Sequence, residues 1–120
     1  MNSARDNILI AGLDDWVPLS QIHGCVTEAN PSASLTDIRH QTLESIRSLV
    51  RDGLCELGDL DPEGEDFVEW KVPLDQAINN ISRIYVDRFE YRAPWLRCCW
   101  LNLTDKGERL ARELLQAGGS

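Results

Sequence analysis

Apolar residues recur at three- and four-residue steps along five stretches of the chain, a spacing typical of helices that bury one face. The pattern predicts helices over residues 4–13, 19–29, 34–53 and 73–90, and a last helix that begins at residue 104 or 105. The third helix has the strongest apolar stripe, formed by Ile38, Thr42, Ile46, Leu49 and Val50. These faces together predict one shared hydrophobic core.

Capping residues mark the ends of two of these helices. Ser20 is a candidate N-cap of the second helix, and Ser34 or Thr36 of the third, because their hydroxyls can accept hydrogen bonds from unpaired backbone N–H groups. Gly53 is placed for the left-handed residue that ends a helix.

The fourth and fifth helices have boundary signals of their own. Pro73 opens the fourth helix and Pro94 closes it. Thr104 or Asp105 caps the last helix, and Asp105 with Glu108 has the spacing of a capping box. The positions that this last helix is predicted to bury are Leu110, Ala111, Leu114 and Leu115.

Two further stretches are predicted to be extended. A short strand at Val17 precedes Pro18, because proline pushes the residue before it away from helical angles. Near the end of the chain the segment WLRCCWLNLT alternates in polarity, which predicts a strand over residues 96–103. Cys98 and Cys99 fall inside this strand, so their side chains are predicted to point to opposite faces.

A hairpin is predicted between the third and fourth helices. It covers residues 55–70, CELGDLDPEGEDFVEW, and nearly every second residue in this acidic hairpin is a carboxylate. Cys55 and Leu57 alternate with acids on the first strand, and Phe67 and Val68 begin the return strand. The Asp-Pro-Glu-Gly turn between them fits because proline fixes φ and glycine accepts a positive φ.

This order of elements predicts an α+β fold with four to five helices, a small antiparallel sheet or hairpin, and an extra helix after the hairpin. A chain of 120 residues has room for one core and little room for a second. Residues 1–120 are therefore predicted to form one domain, with residues 1–3 and 117–120 as flexible ends.

Two phrases of the sequence resemble the winged helix-turn-helix family of regulators. TLESIRSLVRDGLCELGDL resembles a recognition helix that runs into the first wing strand, and WLNLTDKGERLARELL resembles the strand-to-helix junction common in these domains. The resemblance covers most of residues 4–70 and 95–115, and it implies a winged-helix-like domain with the acidic hairpin as its wing.

One feature departs from that family. In a minimal winged helix the last strand follows the wing directly, whereas the helix over residues 73–90 intervenes here. Either this helix is an addition after the wing, or the strand over residues 96–103 joins the same small sheet later. The sequence leaves both arrangements open.

The resemblance implies a DNA-binding function, with residues 36–51 in the major groove and the wing on the phosphate backbone. His40, Gln41, Arg47 and Arg51 would then read the bases, in a regulator that acts as a homodimer. Electrostatics oppose this function, because neutralisation of phosphates by cationic side chains supplies most of the non-specific affinity for DNA.

The net charge of −8 is concentrated in the acidic hairpin. Residues 56–69 hold seven acids and no base, whereas residues 70–120 hold six acids and eight bases. Such a hairpin repels phosphate and attracts cationic proteins. The predicted partner-binding residues are its carboxylates and the two aromatic residues beside them: Glu56, Asp59, Asp61, Glu63, Glu65, Asp66, Glu69, Phe67 and Trp70.

We therefore predict a non-enzymatic protein-interaction domain whose partner is a basic protein. Small acidic single-domain proteins that neutralise a basic toxin, often a nuclease, have this size and charge, so an immunity or inhibitor function is the most concrete version. A DNA-binding transcriptional regulator is the alternative, with DNA as the less favoured partner. The acidic run also has a simpler interpretation, since solvated charges keep an exposed hairpin from pairing edge to edge.

The sequence contains no pattern for catalysis or for cofactor binding. GxSxG, P-loop and GxGxxG motifs do not occur, so we expect neither an enzyme nor a cofactor. His23-x-Cys25 is half of a metal site that no CxxC or HxxxH completes, so no metal is expected. The cysteines lie in apolar patterns and are predicted to be buried free thiols: Cys25, Cys55, Cys98 and Cys99.

Four arginines form a weak basic cluster in the second half of the chain, namely Arg83, Arg88, Arg92 and Arg97. In one interpretation they pair with the acidic hairpin of the same molecule or of a dimer mate, and in another they bind an anion.

No run approaches the roughly 18–20 apolar residues of a membrane span. The short apolar run near the N-terminus lacks the features of a signal peptide, so a cytoplasmic protein is expected.

Overall fold

Helices and strands follow one another in the predicted order. The structure, a computed structural model, describes residues 3–90, residue 95 and residues 98–118. The helices within these ranges are α1 (Ala4–Ala11), α2 (Leu19–Ala29), α3 (Leu35–Arg51), α4 (Leu74–Tyr85) and α5 (Asp105–Gly118). The strands are β1 (Val17–Pro18), β2 (Cys55–Leu60), β3 (Phe67–Glu69) and β4 (Trp100–Leu103). The predicted α+β layout is confirmed, including the helix that follows the hairpin.

The four strands form one antiparallel sheet in the order β1-β4-β2-β3. Strand β4 lies between β1 and β2, with Leu101 opposite both Val17 and Leu57. The two arrangements that the sequence left open therefore occur together. The hairpin is followed by α4, and the last strand returns to complete the same sheet.

The hydrophobic core lies between this sheet and the helices. α1, α2 and α3 contribute Ile8, Leu9, Ile22 and Ile46, all fully buried. The remaining core residues come from the strands and from α4 and α5, among them Leu57, Ile78, Ile81, Leu101 and Ala111. In the described part of the chain the one buried polar residue is Thr42, whose hydroxyl donates to the Ile38 carbonyl at 2.7 Å.

Several predicted boundaries and caps are correct. Ser34 accepts a hydrogen bond from the Asp37 N–H and so caps the start of α3. Gly53 and Gly64 are the described residues with positive φ, at 74° and 72°. Both glycines occupy the positions that the helix end and the hairpin turn require.

Other predicted caps and positions are wrong. Ser20 does not cap α2, because the helix begins at Leu19 and Pro18 holds the cap position without a side-chain hydrogen bond. Asp105 is the first residue of α5, so its capping box with Glu108 does not form. Leu115, predicted to be buried, is 53% exposed because it lies on the outer side of that helix.

The fourth helix ends earlier than its apolar pattern predicts. α4 stops at Tyr85, and residues 86–90 form turns. The chain leaves the helix because Arg39 donates to the Val86 carbonyl at 3.1 Å and its guanidinium lies 5.0 Å from the centre of the Phe89 ring. Pro94, predicted to close this helix, lies outside the described residues.

Four aromatic rings fix the chain after α4. Phe89 stacks on Trp95 with ring centres 4.9 Å apart, and the Trp95 indole N–H donates to the Phe89 carbonyl at 2.7 Å. His23 contacts both of these rings and hydrogen bonds through Nδ1 with the Tyr85 hydroxyl. Burial raises the pKa of Tyr85 to about 12, so the hydroxyl stays protonated.

The start of α5 is held against the link between α3 and β2. Thr104 caps the helix by accepting from the Gly107 N–H at 3.1 Å, and its hydroxyl donates to the Gly53 carbonyl at 2.6 Å. Lys106 Nζ lies 3.1 Å from the Asp52 carbonyl oxygen. A Cβ atom at Gly107 would lie 2.0 Å from the Leu54 carbonyl oxygen, so only glycine fits this approach.

No helix in the described ranges is long and apolar enough to cross a membrane.

Replacing Gly107 by alanine should therefore destabilise the fold. We expect the Gly107→Ala variant to lose about 2 kcal/mol or more of unfolding free energy, because backbone must move to admit the methyl group. Urea unfolding measures this change.

Gly24→Ala is the matched control, since a Cβ there meets no atom within 4 Å inside α2. It should gain roughly 0.5–1 kcal/mol from the higher helix propensity of alanine. Equal effects of the two substitutions would contradict the close approach of α5 to Leu54.

Candidate protein-interaction surface

The acidic hairpin separates from the rest of the sheet at Gly58. The first part of β2, from Cys55 to Gly58, pairs with β4, whereas Gly58 to Leu60 pair with β3. Gly58 belongs to both ladders, opposite Trp100 and Glu69. In the described structure no second strand flanks β2 beyond this point, so residues 59–66 extend past the part of the sheet that packs on the core.

Exposure rises along the hairpin in the same direction. Cys55 and Leu57 are buried, Asp59 is exposed, and residues 62–66 are all exposed. The change follows from the register, since the core-facing side of β2 has apolar neighbours only while β4 lies beside it. The most acidic part of the hairpin is therefore also its most solvated part.

The turn of the hairpin is held by hydrogen bonds of its own. The Asp61 carbonyl accepts from the Gly64 N–H at 2.9 Å, and its carboxylate accepts from the Glu65 N–H at 2.7 Å. The Asp61 N–H donates to the Asp66 carbonyl at 2.9 Å. These bonds order the tip without any cation, and the carboxylates of Glu63, Glu65 and Asp66 stay exposed.

Cations compensate little of the hairpin's charge. Among the described residues the single ion pair of the hairpin joins Glu69 to Lys71 at 3.2 Å, while Glu56 accepts a hydrogen bond from Asn102 at 2.9 Å. The arginine ion pairs all lie elsewhere in the described ranges: Arg5 and Arg51 with Asp52, Arg47 with Glu44 and Asp75, and Arg112 with Glu108.

The two aromatic residues of the predicted site differ in their environments. The Trp70 side chain packs against the core while part of it stays exposed. The backbone N–H of Trp70 donates to the Leu57 carbonyl at 3.0 Å. Phe67 covers Gly58, because a Cβ there would lie 2.8 Å from its Cζ atom. The hairpin therefore depends on glycine at position 58, where the Val68 carbonyl oxygen is closer still, at 2.1 Å from such a Cβ.

A groove adjoins the hairpin, between the segment after β3 and helix α4. This α4 groove has a volume of about 350 Å³ and is lined by Trp70, Val72, Asn80, Ile81, Ile84 and Cys98. Sequence reasoning missed it, because its walls come from segments that are distant along the chain. Val72, an apolar residue in the short link before α4, was the available signal.

The four residues predicted to read DNA bases do not form one open surface. His40 is exposed beside α4, at a shallow depression that Ser82 and Val86 help to line. Gln41 is half-buried and lines a different depression beside α1 and α2. Consecutive residues of a helix are turned by about 100° from each other, which separates these two side chains.

The arginines of α3 are engaged within the molecule. Arg47 forms ion pairs with Asp75 of α4 and with Glu44. Arg51 is 65% exposed and lies 3.6 Å from Asp52. Arg39 packs on Phe89 and donates to a carbonyl of the segment after α4. The charge that α3 offers to a phosphate is therefore small.

The basic cluster is seen only in part. Arg83 and Arg88 are exposed, and no ion pair in the described structure joins either of them to the acidic hairpin. Arg92 and Arg97 lie outside the described residues. Neither Arg83 nor Arg88 of the same molecule therefore neutralises a carboxylate of the acidic hairpin.

The adjacent cysteines lie before β4 rather than inside it. The strand begins at Trp100, later than predicted, because Cys98 lies in a bend where its N–H reaches the Trp95 carbonyl at 3.4 Å. The two thiols are close enough for each to affect the pKa of the other. A hydrogen bond from the Cys99 thiol holds the pKa of the Cys98 thiol below its usual range, and the same bond together with burial raises that of Cys99.

The other two cysteines, Cys25 and Cys55, have raised thiol pKa values. Burial raises the pKa of Cys55 to about 12. The pKa of Cys25 is raised mainly by burial and, to a smaller extent, by the nearby Glu28 carboxylate. Cys25 and Cys98 are only partly buried, which corrects the prediction that all four cysteines are buried. In the ranges that the structure describes, no three His, Cys, Asp or Glu side chains are grouped as metal ligands would be.

Comparisons of the chain with family models, with curated proteins and with solved structures find no match. The resemblance to winged helix-turn-helix regulators therefore stays an expectation from the sequence. Function has to be inferred from the fold, the distribution of charge and the geometry of the surface.

Cys98 should react first with a thiol reagent such as iodoacetamide. Its lowered pKa gives more thiolate at mildly alkaline pH than the raised pKa values of the other cysteines allow, and it is partly exposed. We expect one thiol to react about tenfold faster than the rest, as followed by mass spectrometry.

Cys98→Ser should abolish the fast reaction, and Cys25→Ser, which removes the other partly buried thiol, should keep it. A fast phase that persists without Cys98 would contradict the assignment of the lowered thiol pKa to Cys98.

Proposed function

We propose that the protein is a non-enzymatic interaction domain whose acidic hairpin docks on a basic protein. The observation that carries the proposal is a run of seven carboxylates on a hairpin that leaves the core, with a single ion pair among the described residues. Such an array attracts a cationic surface through water, over a screening length of about 8 Å at physiological ionic strength.

Repulsion among the carboxylates at the tip of the hairpin favours the binding of a cationic surface. Glu63, Glu65 and Asp66 lie within four residues of one another on a tight turn, and all three are exposed. Like charges so near one another along the chain oppose the folded turn, and cations that lie against them reduce the repulsion.

The most concrete form of the proposal is an immunity or inhibitor protein that neutralises a basic toxin such as a nuclease. A nuclease needs a cationic surface for the phosphate backbone of its substrate. Carboxylates on a protruding hairpin can occupy the same surface, because they carry the same sign of charge as phosphates. Binding would then exclude the nucleic acid.

A DNA-binding regulator has less support. The winged-helix-like order of elements favours it, with α3 as the recognition helix. Against it, Arg47 is paired with Asp75 and Glu44, and the hairpin in the wing position would repel the phosphates that a wing contacts.

Removing charge from the hairpin tip should weaken binding to a polycation. In the triple variant Glu63→Ser, Glu65→Ser, Asp66→Ser we expect the affinity for a lysine homopolymer to fall about tenfold at low ionic strength. Fluorescence anisotropy of the labelled polymer gives the affinity, and the difference from wild type should shrink as salt shortens the screening length.

The control is a triple variant with the same change in charge, Asp14→Ser, Glu28→Ser, Glu113→Ser, at exposed sites away from the hairpin. It should bind almost as wild type does. Equal weakening in both variants would mean that only net charge matters, and the hairpin would not be a docking surface. A gel shift with duplex DNA at moderate salt, lost on Arg51→Ala, would favour the regulator instead.

A further inference from the structure

The α4 groove lies directly beside the acidic hairpin. Trp70, which forms one wall, follows Glu69 at the end of β3, and Ile81 and Ile84 of α4 form the opposite side. Its volume of about 350 Å³ is at the lower end of the range for protein pockets, roughly 300–1,000 Å³. A cleft of this size accommodates a side chain rather than a large ligand.

Exposed apolar side chains continue from the groove onto the hairpin. Val72 lines the groove and is 41% exposed, and Val68 on β3 is 52% exposed. In the described ranges only Leu35 and Leu115 are large hydrophobic residues of comparable exposure, and both lie on other elements. Two of the four exposed large apolar residues thus lie on the stretch of chain from β3 to the groove.

Carboxylates of the hairpin lie near the groove, although Lys71 is the one charged residue among its described lining residues. The Asp59 carboxylate lies close enough to Cys98, at the groove, to oppose ionisation of its thiol. Glu69 precedes the Trp70 wall, and Lys71 at the rim is already paired with Glu69. Carboxylates of the hairpin therefore lie near the entrance of the groove, and cationic neighbours of a side chain that enters it would complement them.

We infer that the α4 groove receives a bulky apolar side chain of the basic partner, presented between lysine or arginine residues that contact the hairpin. This inference rests on the proposed function and adds the chemistry of the partner's contact segment. The charges steer the approach and set orientation, and the apolar side chain supplies the buried anchor that most interfaces require.

Two synthetic peptides test the inference. They carry the same number of lysines and differ only in a central leucine or serine. We expect wild-type protein to bind the leucine peptide about tenfold more tightly, which corresponds to about 1.4 kcal/mol, as measured by isothermal titration calorimetry. Val72→Ser, at an exposed position, should reduce this preference to about twofold, whereas Leu115→Ser, at an equally exposed position on α5, should keep it.

Alkylation of Cys98 provides a second readout, independent of affinity. The thiol lines the groove, so the leucine peptide at saturation should slow its reaction with iodoacetamide several-fold. The serine peptide at saturation should leave the rate close to that of the free protein.

The outcomes separate the inference from the proposed function. The two peptides could bind equally tightly, with a salt-sensitive affinity that the hairpin triple variant weakens. That result would contradict the role inferred for the α4 groove and leave the proposed function intact. A leucine preference that Val72→Ser does not change would also overturn the groove. Absence of binding by either peptide at low ionic strength would overturn the proposed function and the inference with it.

Discussion

The pairing of β4 with only the first four of the six residues of β2 is the constraint on which the rest of the structure depends. β4 lies between β1 and β2 and supports residues from Cys55 to Gly58, which pack on the core. From Gly58 onward β3 is the partner of β2, and the residues become increasingly exposed to solvent. The same register thus makes the base of the hairpin apolar and leaves its tip free to carry charge that the core could not hold.

Local signals in the sequence were sufficient for much of this fold. The hairpin turn, the Ser34 cap and the helix end at Gly53 depend on neighbouring residues, and each was predictable from the residue types at those positions. The end of α4 was not, because contacts of Phe89 with Arg39 and Trp95 override a helical pattern that continues in the sequence. The place of β4 in the sheet and the α4 groove likewise depend on distant segments that pattern alone does not bring together.

The phrase that resembles a winged-helix junction has a structural explanation in this molecule. Thr104 caps α5 and holds the Gly53 carbonyl, Lys106 reaches the Asp52 carbonyl, and Gly107 lets the helix approach Leu54. These residues dock a helix on the α3–β2 link. Resemblance at this junction therefore bears on the fold, whereas the partner contact that we propose lies on the acidic hairpin.

The measurement that tests the central claim most directly is an NMR titration of the isotopically labelled protein with a short lysine peptide. The account predicts that the largest changes in amide chemical shift fall on residues 56–72, from the hairpin to the edge of the α4 groove, with smaller changes at the other exposed acids. Shift changes spread evenly over the acidic residues of the surface, or centred on α3, would contradict it.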